Sequence, residues 1–428
     1  MSKLYLIFWI FITLPLYIYP QGWFQQNSGT TNNLTDIKML SVNNAVVTAY
    51  CPDCYGRIFR TTNAGASWSI VYTTAGALTS LFGVSFSNSN TGLVVGGLFN
   101  FLCLILRTTN TGSTWSQQNS PVNNNLYDVS LLSSNIGIAV GFNGAVIKTT
   151  DGGISWASQI SNVSTHLYGI SLLDSNTGIA VGASGKIIRT SDGGSNWNLV
   201  NSGTAKKLNA VSFINANLGF AVGDSGLILK STNNGLNWST LTSGTLEELL
   251  NVQIISINTS VVVGSHGVIF RTTNSGTNWL SQNSTTIYAL TGVSFIDSNT
   301  GSSVGYNGTI LRTTNGGVTA IQPVSNEIPE KFSLSQNYPN PFNPTTKIRF
   351  DIPPPAKAGQ VMEWGRGRIV RITIYDMLGT EITTLVNEQL SPGTYEIGWD
   401  ASNYTSGVYY YKFAAGDYSV TKKMVLIK

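Results

Sequence analysis

One short phrase recurs along most of the chain: a basic residue, two Ser or Thr, Asn or Asp, and then Gly and Trp. Its basic residues are Arg60, Arg107, Lys148, Arg189, Lys230, Arg271 and Arg312. Five of the six successive intervals are 41 residues, and the first is longer by six residues around Leu98–Cys103. A constant period of this length is typical of repeat architectures in which each unit packs against its neighbours.

Each unit contains four short stretches of strand character. Between Leu167 and Ser202 these stretches alternate with clusters of Gly, Asn, Asp and Ser, which are turn-forming residues. Four strands in about 41 residues are typical of one blade of a β-propeller. The frequent turns and the β-branched runs exclude a helical solenoid, so we predict an all-β fold.

The repeated phrase has a structural explanation. Its Asn or Asp favours a tight turn, and the Gly that follows accepts a positive φ. The Trp then opens the fourth strand, where it is expected to pack over the turn or between blades. We therefore predict structural roles for the seven basic anchors and for the Trp series, which comprises Trp23, Trp68, Trp115, Trp156, Trp197, Trp238 and Trp279.

The two ends of the repeat region complete each other. The seventh unit, Arg312–Ala320, has the turn but lacks a Trp, whereas Trp23 stands 11 residues before Leu34, as Trp279 stands 11 before Leu290. The sequence therefore predicts seven blades within residues 22–320, with the N-terminal strand completing the last blade. Closure of this kind removes exposed sheet edges.

The repeat resembles known families. Thr190–Trp197 resembles the Asp-box of BNR repeats, which occur in sialidases and in non-enzymatic propellers. The whole unit, with GIAVG before the basic anchor, resembles the seven-bladed photosystem II stability/assembly factor family from about Trp23 to Thr319. This resemblance implies the fold, and a fold does not determine an activity.

The N-terminus predicts export. Lys3 precedes the apolar run Leu4–Tyr19, which is typical of a signal peptide, here assigned to residues 1–21. An uncleaved membrane anchor is the alternative, but the run is shorter than the roughly 20 residues that a spanning helix needs. We find no other run of this kind, so no membrane span is expected in the mature chain.

The last hundred residues differ from the repeat. A polar linker is predicted at residues 321–331, followed at residues 332–428 by about seven short strands, which favour an immunoglobulin-like β-sandwich. Ser335–Pro344, Ile374–Gly379 and Thr421–Lys428 resemble the type A sorting domain of the type IX secretion system. This resemblance implies recognition by that secretion machinery and a product that is secreted, extracellular or attached to the outer-membrane surface.

Charge and composition narrow the chemistry. Only 10% of the residues are charged and the net charge is +4, so the basic field that nucleic acid requires is missing. With two His and three Cys, we predict no metal site, no cofactor and no catalytic residue. The alternative is a secreted, sialidase-like glycan hydrolase, which needs two carboxylates facing one bond, here over the axial cavity.

A binding surface is predicted on one face of the propeller. If the first strand of each blade lines the axis, the linker before it and the loop after the second strand share a face, and their side chains vary between blades. We predict a ligand-binding surface on this face, formed by Tyr127, His166, Tyr168, Lys207, Glu248, His266 and Tyr306. Lys206–Lys207 and Glu247–Glu248 are expected to pair across a blade gap. The partner is a protein or a glycan; solvated loop residues without any ligand are the alternative.

The cysteines lie in neighbouring loops. Cys51 and Cys54 are candidate partners in a local disulfide, with Cys103 left over or exchanging with them. A redox CxxC is disfavoured because no thioredoxin-like unit surrounds it, and a metal site would need one more ligand.

Overall fold

The computed structural model describes residues 22–50, 55–98, 103–317, 321–325, 328–354, 368–390, 392–401 and 404–428. The predicted signal peptide, the Cys51–Cys54 pair and most of the insertion after Pro353 lie outside these residues. Within them every regular element is a strand, apart from four single 3-10 turns at Phe142–Gly144, Ala183–Gly185, Asp224–Gly226 and Ser265–Gly267.

The described strands of the repeat region form seven blades of four strands. Strand β1 is Phe24–Gln26. Blade one contains β2 (Asn33–Met39), β3 (Ala45–Tyr50), β4 (Tyr55–Thr61) and β5 (Ser69–Ala77). Blade two contains β6 (Thr79–Phe86), β7 (Gly92–Leu98), β8 (Cys103–Thr108) and β9 (Ser116–Gln118). Blade three contains β10 (Leu126–Leu131), β11 (Gly137–Gly141), β12 (Val146–Thr149) and β13 (Ala157–Gln159).

The remaining blades repeat the same order. Blade four contains β14 (Leu167–Leu172), β15 (Gly178–Gly182), β16 (Ile187–Thr190) and β17 (Asn198–Val200). Blade five contains β18 (Leu208–Asn215), β19 (Leu218–Gly223), β20 (Leu227–Ser231) and β21 (Ser239–Leu241). Blade six contains β22 (Leu249–Ile254), β23 (Ser260–Gly264), β24 (Ile269–Thr272) and β25 (Leu280–Gln282). Blade seven contains β26 (Leu290–Phe295), β27 (Gly301–Gly305) and β28 (Ile310–Thr313).

The N-terminal strand completes blade seven, as predicted. Strand β1 pairs antiparallel with β28, and Phe24 lies opposite Arg312. Trp23 is 2% exposed and packs edge-on against Phe295, with 5.6 Å between the ring centroids. The two ends of the repeat region are therefore joined by both backbone and side-chain contacts.

Hydrogen bonds near the axis link successive blades. Ser294, the next-to-last residue of β26, and its equivalents in other blades present a side-chain oxygen to the backbone N–H of the next blade's first strand. Met39 N donates to Ser294 Oγ at 3.0 Å, Leu131 N to Ser85 Oγ at 3.0 Å, and Phe213 N to Ser171 Oγ at 3.2 Å. Blade one has Lys38 at this position, and there Tyr50 pairs with Ser80 so that blades one and two share a continuous sheet.

The C-terminal region is a two-sheet β-sandwich, as predicted. One sheet has the order β29 (Ile321–Ser325), β34 (Gly393–Asp400), β31 (Thr345–Ile352) and β30 (Ser333–Leu334). The other has the order β33 (Glu381–Leu390), β32 (Arg368–Tyr375), β35 (Gly407–Ala415) and β36 (Tyr418–Leu426). Phe350 and Trp399 of the first sheet share a buried core with Tyr411 and Phe413 of the second.

The sandwich also takes up part of the predicted linker. Ile321–Ser325, within the segment assigned to residues 321–331, pairs with β34, and Pro323 lies opposite Tyr395. Proline suggests a linker because it lacks an N–H donor, but an edge strand tolerates it. The first strand of the sandwich therefore begins where the linker was expected.

Candidate functional site

An axial cavity of about 760 Å³ opens between the first strands of the seven blades. In each of these strands the pairing register shifts by a β-bulge near its start, for example between Leu34 and Asp36 and between Leu126 and Asp128. A bulge inserts one residue into a strand and interrupts the alternation of side chains between the two faces. Consecutive residues such as Tyr127 and Asp128 therefore both line the cavity.

Aromatic rings form one side of the cavity mouth. The Tyr127 ring lies 5.4 Å from Tyr168 and 5.4 Å from Phe82, which come from the neighbouring blades four and two. His166 lies beside them, 6.2 Å from Tyr127, and stacks on Phe142 at 4.4 Å between ring centroids. We call the rings of Phe82, Tyr127 and Tyr168 the aromatic arc.

Charged groups form the adjoining side. Lys207 Nζ lies 2.7 Å from Glu248 Oε1 and 3.5 Å from Asp224 Oδ1, so the predicted pairing between these blades is present for Lys207 and Glu248. Burial opposes both charges, but their mutual hydrogen bond and attraction prevail, which raises the pKa of Lys207 and lowers the pKa of Glu248. Lys207 Nζ also lies 5.8 Å from the centroid of the Tyr168 ring.

The other predicted site residues are placed differently. Tyr306 lines the cavity opposite the arc, and burial together with the nearby Tyr50 hydroxyl raises the pKa of Tyr306. His266 does not line the cavity; its Nδ1 lies 2.7 Å from Glu247 Oε2 on the exposed rim. The structure thus brings Tyr127, Tyr168, Lys207, Glu248 and Tyr306 to one cavity, with His166 at its edge and His266 outside it.

Two carboxyl groups inside the cavity were missed by the sequence reasoning. Asp36 accepts hydrogen bonds from Ile37 N at 2.8 Å and Val84 N at 2.9 Å. Asp128 accepts from Val129 N at 2.7 Å and Ile170 N at 2.9 Å. Each carboxyl group therefore links its own blade to the next blade in the chain.

Burial dominates the ionisation of this pair. It raises the pKa of Asp36 to about 6 despite the backbone hydrogen bonds and Lys38. Burial, with a further contribution from the negative charge of Asp36, raises the pKa of Asp128 to about 8. The pKa of Lys38 is lowered, again by burial, although Asp36 acts in the opposite direction.

A comparison of the blades at one repeat position would have identified these two carboxyl groups from the sequence. The position of Asp36 and Asp128 is occupied in the other blades by small residues or an amide: Gly83, Gly169, Ala210, Asn251 and Gly292. The glycines make room, because a Cβ on Gly83 would lie 2.9 Å from Asp128 Cα and a Cβ on Gly292 2.9 Å from Asp36 Cα. Two acids among small residues at one repeat position would have identified the pair.

The repeated basic anchors bind backbone in the next blade. Arg60, Arg107 and Arg189 each donate through Nε at 2.8 Å to the residue after the Asn or Asp of the following turn, namely to the carbonyls of Thr111, Gly152 and Asn234. Lys230 Nζ donates to Ser275 O at 2.7 Å and Arg271 donates to Gly316 O at 2.8 Å, while Arg312 donates to Val42 O at 2.9 Å. Lys148 Nζ lies beside Gly193. These contacts tie each blade to its neighbour.

The turn after each anchor uses two residues with positive φ. In blade four they are Gly193 at +71° and Gly194 at +92°, and Gly194 N donates to Thr190 Oγ1 at 2.9 Å. The Asp192 carboxylate accepts from Asn196 N at 2.9 Å and from the Asn196 side chain, and these bonds lower the pKa of Asp192 to about 2. The hydrogen bonds of this turn join residues of the same phrase, which supports a structural role for it.

One cysteine, Cys103, lies among the described residues. Cys103 is a free thiol, and burial raises its pKa to about 11. The described residues contain no group of three or more His, Cys, Asp or Glu placed to hold a metal ion. The predicted Cys51–Cys54 disulfide falls on residues that the structure does not describe.

Two family models match separate parts of the chain. Residues 158–292 match the photosynthesis system II assembly factor YCF48 family, and residues 336–428 match the secretion system C-terminal sorting domain. The chain carries a YCF48-like propeller and a type IX secretion sorting domain. The sorting domain indicates a secreted or cell-surface protein that engages the type IX machinery. In the part of the chain that the structure describes, no helix is long and apolar enough to cross a membrane.

Solved structures share the propeller fold. YCF48 bound to D1 peptide is 18% identical, with a TM-score of 0.57, over 70% of this chain and 98% of that one. YCF48 from Cyanidioschyzon merolae is 19% identical, with a TM-score of 0.55, over 68% of this chain and 98% of that one. No curated protein sequence matches the chain.

A third solved structure aligns with nearly the whole chain. It is PorZ, a bacterial surface component of the type IX secretion system of Porphyromonas gingivalis, which is 12% identical with a TM-score of 0.54. The alignment covers 97% of this chain and 61% of PorZ. At these identities the three structures establish the fold alone.

Proposed function

We propose that the propeller is a non-catalytic binding module that holds a partner at the mouth of its axial cavity. The observation that carries this proposal is the division of the blade positions. Anchors, turns and axial serines recur from blade to blade, whereas the mouth brings together the aromatic arc, Lys207, Glu248 and Tyr306. A concave surface whose side chains differ between otherwise repeated blades is the first candidate for partner binding.

A protruding protein segment is the partner that best fits this mouth. Aromatic rings offer large contact areas and a polar edge, and the Lys207–Glu248 pair offers both a donor and an acceptor. The likeness to the structure of YCF48 bound to D1 peptide supports a peptide over a glycan, since that propeller holds a peptide. A glycan remains the other partner class that the experiment below tests.

The experiment is partner capture by the exported protein. The full chain and a variant carrying Tyr127→Ala, Tyr168→Ala and Tyr306→Ala are compared for binding to the captured partner and to a glycan array. The control carries Leu199→Ser, Leu280→Ser and Ile70→Ser on exposed outer strands. We expect at least a tenfold loss of affinity for the mouth variant and none for the control. Equal binding by all three would refute the proposal.

Delivery by the sorting domain is tested separately. Because β29 pairs with β34, a clean removal begins at residue 321 rather than inside the predicted linker. Cells producing residues 1–320 are expected to retain the propeller inside the outer membrane, and the full chain is expected at the surface or in the medium. Surface delivery of the truncated chain would show that export does not depend on the sorting domain.

One observation favours a hydrolase as the second candidate function. Asp36 and Asp128 face the same cavity with raised pKa values, and paired carboxyl groups with separated pKa values are used in glycoside hydrolysis. Against it, both oxygens of each group accept backbone N–H donors and link blades. Release of reducing sugar from polysaccharides by the full chain, abolished by Asp128→Asn, would establish the hydrolase and displace the binding proposal.

A further inference from the structure

One carboxyl group that lines the cavity, that of Asp128, makes no ion pair with any residue that the structure describes. Among the described residues, five with acidic or basic side chains line the cavity: Asp36, Lys38, Asp128, Lys207 and Glu248. Lys207 is held by Glu248 at 2.7 Å, and Lys38 acts on Asp36. The charged group that acts on Asp128 is Asp36, which is negative. Any negative charge on Asp128 would therefore face the cavity without a described cationic partner.

Backbone features orient the Asp128 side chain and hold it in the cavity. The bulge between Leu126 and Asp128 turns Tyr127 and Asp128 to the same cavity. Gly83 in the neighbouring blade leaves the space that the carboxyl group occupies, and two N–H groups fix its oxygens. An oxygen that accepts one N–H bond retains a lone pair for a second donor.

The aromatic arc stands next to this carboxyl group. Tyr127 is its chain neighbour, and Tyr168 and Phe82 come from the blades on either side. Ring faces attract cations, and Lys207 Nζ already lies 5.8 Å from the Tyr168 centroid. Rings and a carboxyl group are complementary to the same kind of guest, a cationic group with an apolar stem.

We infer that the segment bound at the mouth inserts a Lys or Arg side chain into the axial cavity, between the aromatic arc and Asp128. This inference rests on the proposed function and names the chemistry of its ligand. The aliphatic stem contacts Tyr127 and Tyr168, and the ammonium or guanidinium donates to Asp128. Asp128 then selects the charge of the guest, while the rings select its length and width.

Insertion of the cation moves one proton. At pH 7 the Asp128 carboxyl group is mostly protonated, because its pKa lies near 8. The guest cation favours the carboxylate, so the neutral acid and the guest give an ion pair and a proton released to solvent. Binding of Lys or Arg therefore has a proton release that binding of a neutral guest lacks.

The test uses isothermal titration of the full mature chain with acetylated and amidated tripeptides. Gly-Arg-Gly and Gly-Lys-Gly are compared with Gly-Gln-Gly, each in two buffers at pH 7 that differ in ionisation heat. We expect the cationic peptides to bind at least tenfold more tightly than Gly-Gln-Gly and to release nearly one proton per peptide. Affinity for them is expected to fall by up to about tenfold per pH unit below the pKa of Asp128.

Two variants test whether Asp128 is the group responsible for the charge preference. Asp128→Asn is expected to remove both the charge preference and the proton release, whereas Asp297→Asn, which changes an exposed turn acid, is expected to keep both. If Asp128→Asn does not fold, the pH dependence of the wild-type protein decides the same point. Weak binding of all three peptides without charge preference, binding of Ca²⁺ in place of the peptides, or no peptide binding at all would overturn the inference. Partner capture by the mouth would still test the proposed function independently.

Discussion

A single repeat position determines the character of the cavity at the residue scale. At this position five blades have Gly, Ala or Asn, whereas blades one and three have Asp36 and Asp128. Each of these two carboxyl groups accepts hydrogen bonds through both oxygens, one of them from the next blade. The cost of this arrangement is that a carboxylate surrounded by protein is poorly solvated. The pair therefore links blades and places two carboxyl groups with raised pKa values in the cavity.

This burial predicts a pH-dependent stability. The pKa of Asp128 rises from 3.8 to about 8 on folding, so the folded state binds the proton that the unfolded state has already lost. Its stabilising contribution is complete below about pH 4 and is lost as the pH rises through 8, with a slope of up to about 1.4 kcal/mol per pH unit. Urea unfolding of the wild-type protein between pH 5 and 9 is expected to show this fall.

Substitution isolates the group responsible. Asp128→Asn is expected to flatten the dependence in this window, apart from the smaller part due to Asp36, whose pKa is about 6. Asp192→Asn is a suitable control because the pKa of Asp192 is about 2 and its titration lies outside the window. An unchanged slope in the Asp128 variant would show that the carboxyl group is ionised in the folded protein at neutral pH.

At the scale of the element, the basic anchor acts between blades rather than within one. Arg271 is 7% exposed and donates to Gly316 O and Ser298 O, both at 2.8 Å. Arg271→Met is expected to reduce the free energy of unfolding by about 2 kcal/mol, since hydrogen bonds from a charged group contribute about 1.5 to 3 kcal/mol. Lys206→Met on the exposed linker is the control, and thermal unfolding compares them. Equal stability of the two variants would contradict a stabilising role for the Arg271 hydrogen bonds between blades.

The elements themselves could largely be predicted from the sequence. The constant spacing of the anchors specifies the strand order of each blade, and the positions of Trp23 and Trp279 relative to Leu34 and Leu290 predict the closure by β1. Segments outside the repeat were harder to predict, because no equivalent segment elsewhere in the chain could be compared with them. Ile321–Ser325 looks like a linker because of Pro323, but pairing with β34 supplies the order that its local sequence does not.

The candidate site was only partly predictable, for a reason of register. Strict alternation assigns residues 36 and 128 to the face opposite Thr35 and Tyr127, but the bulge directs both residues of each pair into the cavity. No residue type marks a bulge of this kind. His266 was expected at the mouth, but it has a φ of +54° in its 3-10 turn and meets Glu247 on the rim instead.

For the whole molecule, the ring is held by a strand from the opposite end of the repeat region. Trp23 packs against Phe295 and donates through Nε1 to Gln282 Oε1 at 2.9 Å. Trp23→Ala is expected to cost about 3 to 5 kcal/mol, because it removes a fully buried aromatic side chain at the point of closure. The half-buried Trp68 in blade one joins no chain ends, so Trp68→Ala is expected to cost less in urea unfolding. A larger loss for Trp68→Ala would contradict the importance assigned to closure.

In the whole molecule, export and the proposed partner binding are assigned to different domains. The sandwich domain carries the sorting function, and the propeller presents a cavity whose mouth departs from its repeat. The charges near that mouth are few, so the ring faces, the Lys207–Glu248 pair and Asp128 are the groups that would contact a partner. A partner is therefore expected to contact the mouth of the propeller.

Site-specific photocross-linking on the cell surface tests this contact. A benzophenone amino acid is placed at Tyr168 in the aromatic arc or at Leu199 on the outer strand of the same blade, and the full chain is exported by its own sorting domain. Binding at the cavity mouth predicts a discrete cross-linked protein adduct from position 168 and none from position 199. An adduct from position 199 with none from position 168 would contradict binding at the cavity mouth.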